Sequence, residues 1–322
     1  MRQDDGSVGH HPAFYNLTLN KLRSGGSMST SEIRTVRRYS RSSGLAFLFS
    51  LPGLLLLLSV VLAPLITGFY YSLTNSSLIS SDPTRFVGLQ NYKSDVITAT
   101  FGEALRVSLL ITFFSILTQL STGYVIAKVL ARSMKGTSFF VSVIMLPMLL
   151  TPVAIGMMWS LMLNPDIGTI KWLQSFVGLD INFLSSSGTA MGAIIFLEWW
   201  GHLPFVVLVL MAGILNLPKE IIESASIDGA NWWQTNLRVI IPMLAPVIAV
   251  IIIIRSVNAF RMFDTIFVLT SGGPGNATVN LPFLAFKTAF TYFDTSRASA
   301  ISVAIVAIVM PVYFIFLKMT KV

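Results

Sequence analysis

Six stretches of the chain are apolar for long enough to cross a bilayer as helix: residues 44–71, 104–130, 137–163, 189–215, 240–269 and 298–317. A hydrocarbon core of about 30 Å needs roughly 20 helical residues, and each run supplies them. Between the runs lie polar segments, which the pattern assigns alternately to the two sides of the membrane. Residues 72–103, 164–188 and 270–297 face outward, and the connectors 130–136 and 217–242 face inward. An even number of spans puts both termini on one side. The first run is too long for a secretory signal core and has no clear small-residue cleavage site, so it is expected to stay as an anchor. Pro147, Pro152, Pro204, Pro242, Pro246 and Pro311 fall inside the runs. Proline is tolerated there where neighbouring helices or a cavity satisfy the freed carbonyls, so bent spans are expected.

Composition agrees with the pattern. Of 322 residues, 54% are hydrophobic and 11% charged, against roughly a quarter charged in a soluble domain. The net charge of +8 would suit nucleic acid, but its placement argues for topology. Arg2, Lys21, Arg23, Arg34, Arg37, Arg38 and Arg41 precede the first run, Lys128, Arg132 and Lys135 crowd one short connector, and Lys318 and Lys321 close the chain. By the positive-inside rule these parts are cytoplasmic, which leaves residues 1–43 as a polar cytoplasmic tail, partly disordered, and 44–322 as a membrane domain. Cysteine is absent, which removes disulfides and thiolate metal sites.

One segment breaks the apolar monotony. LPKEIIESASIDGANWWQTNLRVIIP, residues 217–242, is charged and helix-forming, with a single glycine at its middle. Pro218 suits an early helical position, and Gly229 ends the helix by permitting a left-handed turn. A second short helix is expected from Asn231 to Val239, leading to Pro242 at the mouth of the next span. Physics alone leaves two uses open: a linker resting on lipid headgroups, or a rigid element presented to a soluble partner.

The segment resembles the EAA loop of binding-protein-dependent ABC importer permeases, E-A-A-x3-G-x9-I-x-L-P. Here Glu223, Ser224, Ala225, Gly229, Val239, Ile241 and Pro242 keep every spacing, and Ala225, Asp228, Gly229, Ala230 and Trp233 fit a surrounding AxxDGAxxW pattern. With LPxEIIE before it and LTSGGP at 269–274 after it, the chain from about 45 to 322 is similar to the carbohydrate-uptake branch, the MalF/UgpA-like permeases. The resemblance implies an all-α integral membrane fold of six transmembrane helices with a cytoplasmic coupling helix, in a bacterial or archaeal cytoplasmic membrane. It implies four kinds of partner: a second homologous permease subunit, two ATPase subunits, an extracytoplasmic solute-binding protein, and the lipid around them. It also implies that Glu223, Ser224, Ala225, Asp228, Gly229 and Pro242 couple to the ATPase, with Ile222 and Ala225 filling an apolar part of its groove. ATP and magnesium would be bound by that partner, and this subunit would need no cofactor or metal of its own.

Polar residues inside spans mark two candidate parts of a substrate path. Glu198, Gly201, His202 and Phe205 share one helical face, with Trp199 and Trp200 alongside. Aromatic faces stack on sugar rings and Glu or His exchange hydrogen bonds with hydroxyls. Alternatively Glu198 and His202 satisfy each other and the tryptophans mark the interface belt. Arg255, Asn258, Met262 and Thr265 form the second face, with Arg261 and Asp264 adjoining, which are close enough in sequence to pair. By resemblance to maltose-type relatives, Gly201, His202, Phe205, Asn258, Ala259 and Met262 stand where sugar is lined, and Arg261 and Asp264 are added for their donors and acceptors. Arg255 and Arg261 keep open an anionic cargo such as glycerol-3-phosphate. The glycine-rich stretch at 270–276 lacks G-x4-G-K-[ST] and is expected to be an outward turn near a docked binding protein. No assembly of catalytic residues is found, so a transport subunit is expected rather than an enzyme; an ion-coupled transporter would need an inverted repeat, which is not seen.

Overall fold

The structure is a computed structural model that describes residues 30–80, 83–132 and 136–319. Most of the basic tail, Lys135 and Lys321 lie outside the described residues. The chain divides into two compact units, residues 1–67 and 68–322. Most of the described part of the first unit belongs to α1 (Thr30–Ser72), which begins within the stretch read as tail and continues past the unit boundary. Its apolar portion, Phe47–Ser72, is long enough to cross a membrane.

The second unit is built on a pair of long helices, α2 (Ala99–Leu130) and α6 (Ser187–Leu215). Each starts where a hydroxyl takes up a free backbone donor: Thr98 accepts the Phe101 N–H, and Ser186 accepts the Thr189 N–H. The buried positions of α2 include Ala104, Ser108, Ile111, Ser115, Gln119 and Gly123, spaced three or four apart, so a single stripe faces inward. Most of that stripe is small. Small residues let helices approach closely in a bilayer, where lipid tails remove the hydrophobic drive to associate. The approach is tightest at Gly123, where a Cβ would lie 2.9 Å from Cγ1 of Val206 on α6.

Two of the expected spans are broken. The run at 137–163 becomes α3 (Thr137–Met145), a tight turn over 146–149, and α4 (Pro152–Met162), with a bend of 94° between the halves. Pro147 and Pro152 mark it: neither has an N–H to continue a helix, and Thr151, before Pro152, is extended (ψ 149°) as a residue preceding proline prefers to be. The run at 240–269 likewise bends by 68° at Leu244, between Pro242 and Pro246. Its straight part, α8 (Ala245–Phe260), then stops, and α9 (Asp264–Leu269) starts afresh. The face expected to run unbroken from Arg255 to Thr265 is therefore interrupted at 261–263.

The segments expected to face outward are more ordered than polar connectors need be. One carries α5 (Thr169–Val177) and another α10 (Leu281–Phe290). Asn280 caps α10 by accepting the Phe283 N–H and donates to the Met262 carbonyl, while Leu281 N–H donates to Ser108 Oγ on α2. The glycine-rich turn is packed too: a Cβ on Gly272 would fall 2.8 Å from both Val279 and Phe283. The last helix, α11 (Thr295–Met319), has 25 residues, about 37 Å of rise. Among the described residues three helices are long and apolar enough to cross a membrane, or five if each bent pair counts as one span, and α11 adds a further helix over the sixth apolar run.

Candidate functional site

The segment between α6 and α8 is held by its own backbone. It opens with α7 (Lys219–Ile227), capped by Asp228. Gly229 follows at φ +78°, and its N–H reaches the Ser226 carbonyl at 3.2 Å while Ala230 N–H reaches the Ala225 carbonyl at 3.0 Å. This paired closure needs a left-handed residue at its centre, and glycine takes that conformation without a Cβ clash. Two residues later Asn231 and Gln234 exchange side-chain and backbone bonds at 2.9 and 2.8 Å, a capping box that starts the next turn. The expected second helix is only partly α: after Trp232–Gln234 it widens into a π turn over Thr235–Ile240. Pro242 lies exposed at the bend into α8.

The side chains of this segment divide cleanly. Ile222 and Ala225 are half-buried where α7 packs on the π turn. Glu223, Ser224 and Asp228 point outward, and so does Ile227, 86% exposed. The exposed apolar side chains of α7 are Ile221 and Ile227, while Ile222 and Ala225, expected to fill an apolar groove, are half-buried.

Sequence reasoning also missed how the segment is fastened. Asn236, in the π turn, is 2% exposed. Its Oδ1 accepts the Tyr124 hydroxyl at 2.6 Å and the Lys128 ammonium, and its Nδ2 donates to the Trp232 carbonyl. Lys128 Nζ also sits 4.7 Å from the centre of the Trp232 ring. The available signal was Lys128 itself, a charge near the end of an apolar helix, which requires a partner.

The intramembrane polar residues form a second centre. Arg255 on α8 and Glu198 on α6 are 1% and 4% exposed and are directly paired. Arg255 Nε donates to Gln119 Oε1 at 2.9 Å, and Gln119 Nε2 donates to the Glu198 carbonyl at 2.8 Å. Two opposite charges with their hydrogen bonds met cancel inside the helix bundle. His202 lies at the rim, half-buried, with Nδ1 3.3 Å from Glu198 Oε1. The main partner of Glu198 is therefore Arg255, and His202 is secondary.

Of the other path candidates, Gly201 is buried, with a Cβ there only 3.2 Å from Ile155, so it marks a helix contact. Ala259 and Met262 are also buried within the chain. Phe205 and Asp264 are half-buried, and Asn258 and Arg261 are exposed. Among the described residues no ion pair joins Arg261 to Asp264, since the break after Phe260 removes their common helix. Trp199 donates to Thr122 Oγ1 at 2.8 Å and Trp200 packs on Trp159, so both rings are engaged inside the chain. His202 follows Glu198 by four residues on α6 and Asn258 follows Arg255 by three on α8, so each lies about one turn along its helix from the Glu198–Arg255 crossing.

Residues 119–321 match the family model described as "Binding-protein-dependent transport system inner membrane component". The trehalose/maltose transport system permease protein MalF of Thermococcus litoralis is 31% identical over 283 residues, covering 87% of this chain and 95% of that protein. The trehalose transport system permease protein SugA of Mycobacterium tuberculosis is 31% identical over 275 residues, covering 85% and 88%. A bacterial alginate ABC transporter, solved with an alginate pentasaccharide-bound periplasmic protein, has a chain of the same fold: TM-score 0.75 at 19% identity, covering 88% of this chain and 96% of that one. With a family model matched over residues 119–321 and these relatives along most of its length, the chain belongs to the family of binding-protein-dependent transport system inner membrane components.

Proposed function

We propose that this chain is the permease half of an ATP-driven importer for a sugar or oligosaccharide. It receives its cargo from an extracytoplasmic binding protein and works beside a second, related permease and two ATPase subunits that bind ATP and magnesium. Both termini and residues 217–242 face the cytoplasm, as the basic residues require. The observation that carries the reading is the contrast within 217–242: a backbone closed at Gly229 and Asn231, with Glu223 and Ile227 bare on its surface. A stiff element with an unoccupied face transmits displacement, whereas a loose loop absorbs it. Closure of the ATPases on ATP draws the coupling helices together, the spans rock, and the cavity opens to the binding protein; hydrolysis reverses the motion. The kind of cargo follows from Arg255. A glycerol-3-phosphate would need it beside Arg261, and it is buried against Glu198. The relatives' names are mostly those of sugar permeases, with a glycerol-3-phosphate permease among them.

The test is uptake into proteoliposomes carrying the assembled complex. Labelled sugar accumulates only with ATP on the coupling side and binding protein on the other, and Glu223→Ala or Gly229→Val abolishes accumulation while the protein still inserts. Accumulation driven by an ion gradient without ATP overturns the proposal. So does a cysteine at position 229 of this cysteine-free chain that reacts with an impermeant maleimide only from outside intact cells.

A further inference from the structure

We infer that Tyr124, Lys128 and Asn236 form a joint that carries displacement of the coupling segment into α2, and that Asn236 is its positioning residue. The inference rests on the reading of 217–242 as the coupling element and goes on to say where its motion enters the bundle. Asn236 is buried, yet it is polar and held at three points: to Tyr124, to Lys128 and to the Trp232 carbonyl. An apolar side chain would fill the same space, but apolar contacts are non-directional and allow sliding. Hydrogen bonds have preferred distances and angles, and those to a charged donor are the strong ones, so this joint resists displacement in either direction. The π turn matters because its wider winding shifts the register of the helix at Asn236, a geometry common at functional sites.

The connection continues on both sides. Towards the ATPase, Trp232 belongs to the turn capped by Asn231, two residues beyond the Gly229 elbow, and its ring lies under the Lys128 ammonium. Towards the membrane interior, α2 is bonded to α6 through Thr122 and Trp199 and through Gln119 and Glu198. Tyr124 and Lys128 are about one and a half and two and a half turns along α2 from Gln119. A shift of the elbow thus reaches the Glu198–Arg255 crossing, beside His202, through polar bonds and one rigid helix.

The experiment uses the complete complex in proteoliposomes and reads sugar molecules imported per ATP hydrolysed, normalised to assembled complex. Asn236→Leu lowers that ratio about tenfold, within the usual range of coupling energies, and leaves hydrolysis within twofold. Asn236→Asp, which still accepts from Tyr124 and Lys128 and loses only the local bond to the Trp232 carbonyl, keeps most of the ratio. Tyr124→Cys with Asn236→Cys, in the cysteine-free chain, lowers the ratio, and a short bismaleimide link between the two thiols restores it. A role in packing alone would change hydrolysis, uptake and assembly together and would not distinguish Leu from Asp. An unchanged ratio in assembled Asn236→Leu, or transport blocked by the link, overturns the inference. Failure of the unmodified complex to import with ATP would instead refute the function proposed above.

Discussion

The crossing of α2, α6 and α8 and the segment at 217–242 treat polar groups in opposite ways. At the crossing, Arg255, Glu198 and Gln119 satisfy one another almost out of reach of any ligand. In the segment at 217–242 the backbone is satisfied by Gly229, Asn231 and Gln234, and the side chains of Glu223, Asp228 and Ile227 are left outside. A group that completes its bonds inside the chain stabilises that chain; one held rigidly but uncovered is available to another molecule. The same criterion separates the path candidates. Gly201, Ala259 and Met262 belong with the crossing, whereas Asn258 and Arg261 stay accessible.

The largest expected effect lies at the crossing. Glu198→Ala leaves the Arg255 guanidinium buried without its counter-charge, which costs about 3–5 kcal/mol. The purified protein should unfold at markedly lower temperature and accumulate poorly. Glu198→Leu combined with Arg255→Met should recover most of the loss, because the pair adds little beyond what well-packed apolar residues supply. If Glu198→Ala melts as the parent does, the pair is not structural and the contrast between the regions fails.

A smaller effect is expected where α2 and α6 touch. Gly123→Ala puts a methyl 2.9 Å from Val206 Cγ1, and a branched side chain has little rotamer freedom to retreat. Overpacking of this kind costs about 1–3 kcal/mol, and Val206→Ala in the same chain should relieve it. Thermal unfolding of the single and double variants decides the matter.

Much of this architecture was legible in the sequence because membrane crossing imposes a length and an apolar composition on each helix. The spacing of Glu223, Gly229 and Pro242 was equally readable, since an elbow that needs a positive φ selects glycine. Other features were not. Pro147 and Pro152 announced a disturbance, but a bend of 94° depends on what the two halves pack against. The partner of Glu198 lies 57 residues away on another helix, and helical periodicity relates neighbours on one helix without fixing the register between two. Lys128 looked like a topological charge until the fold brought Asn236 to it.

In the segment at 217–242 the expected stability effects shrink while the expected functional ones persist. Gly229→Val forces a branched side chain into a left-handed conformation at a cost of about 1–2 kcal/mol. Because no atom lies within 4 Å of a Cβ there, the strain stays local. Uptake should fail at an unfolding temperature only slightly lowered. A variant that transports normally would show that the elbow does not need its shape.

Ile227→Ser should have the smallest effect on stability, and it divides the two regions most sharply. The side chain is 86% exposed, so its removal should change stability within about 0.5 kcal/mol. If α7 lies in an ATPase groove, however, Ile227 is the apolar side chain most available to fill it, and its loss removes buried area from the interface without altering the helix. The expected result is a protein that melts like the parent but no longer co-purifies with the ATPase subunits, whereas Ile227→Leu, similar in volume and apolarity, retains them. Both substitutions leave Gly229, the cap at Asn231 and the joint at Asn236 untouched, so a change in association reports on the surface alone. Equal recovery of the ATPase with serine and with isoleucine at this position would mean that the exposed face of α7 is not the docking face, and that rigidity without cover is no guide to a partner in this chain.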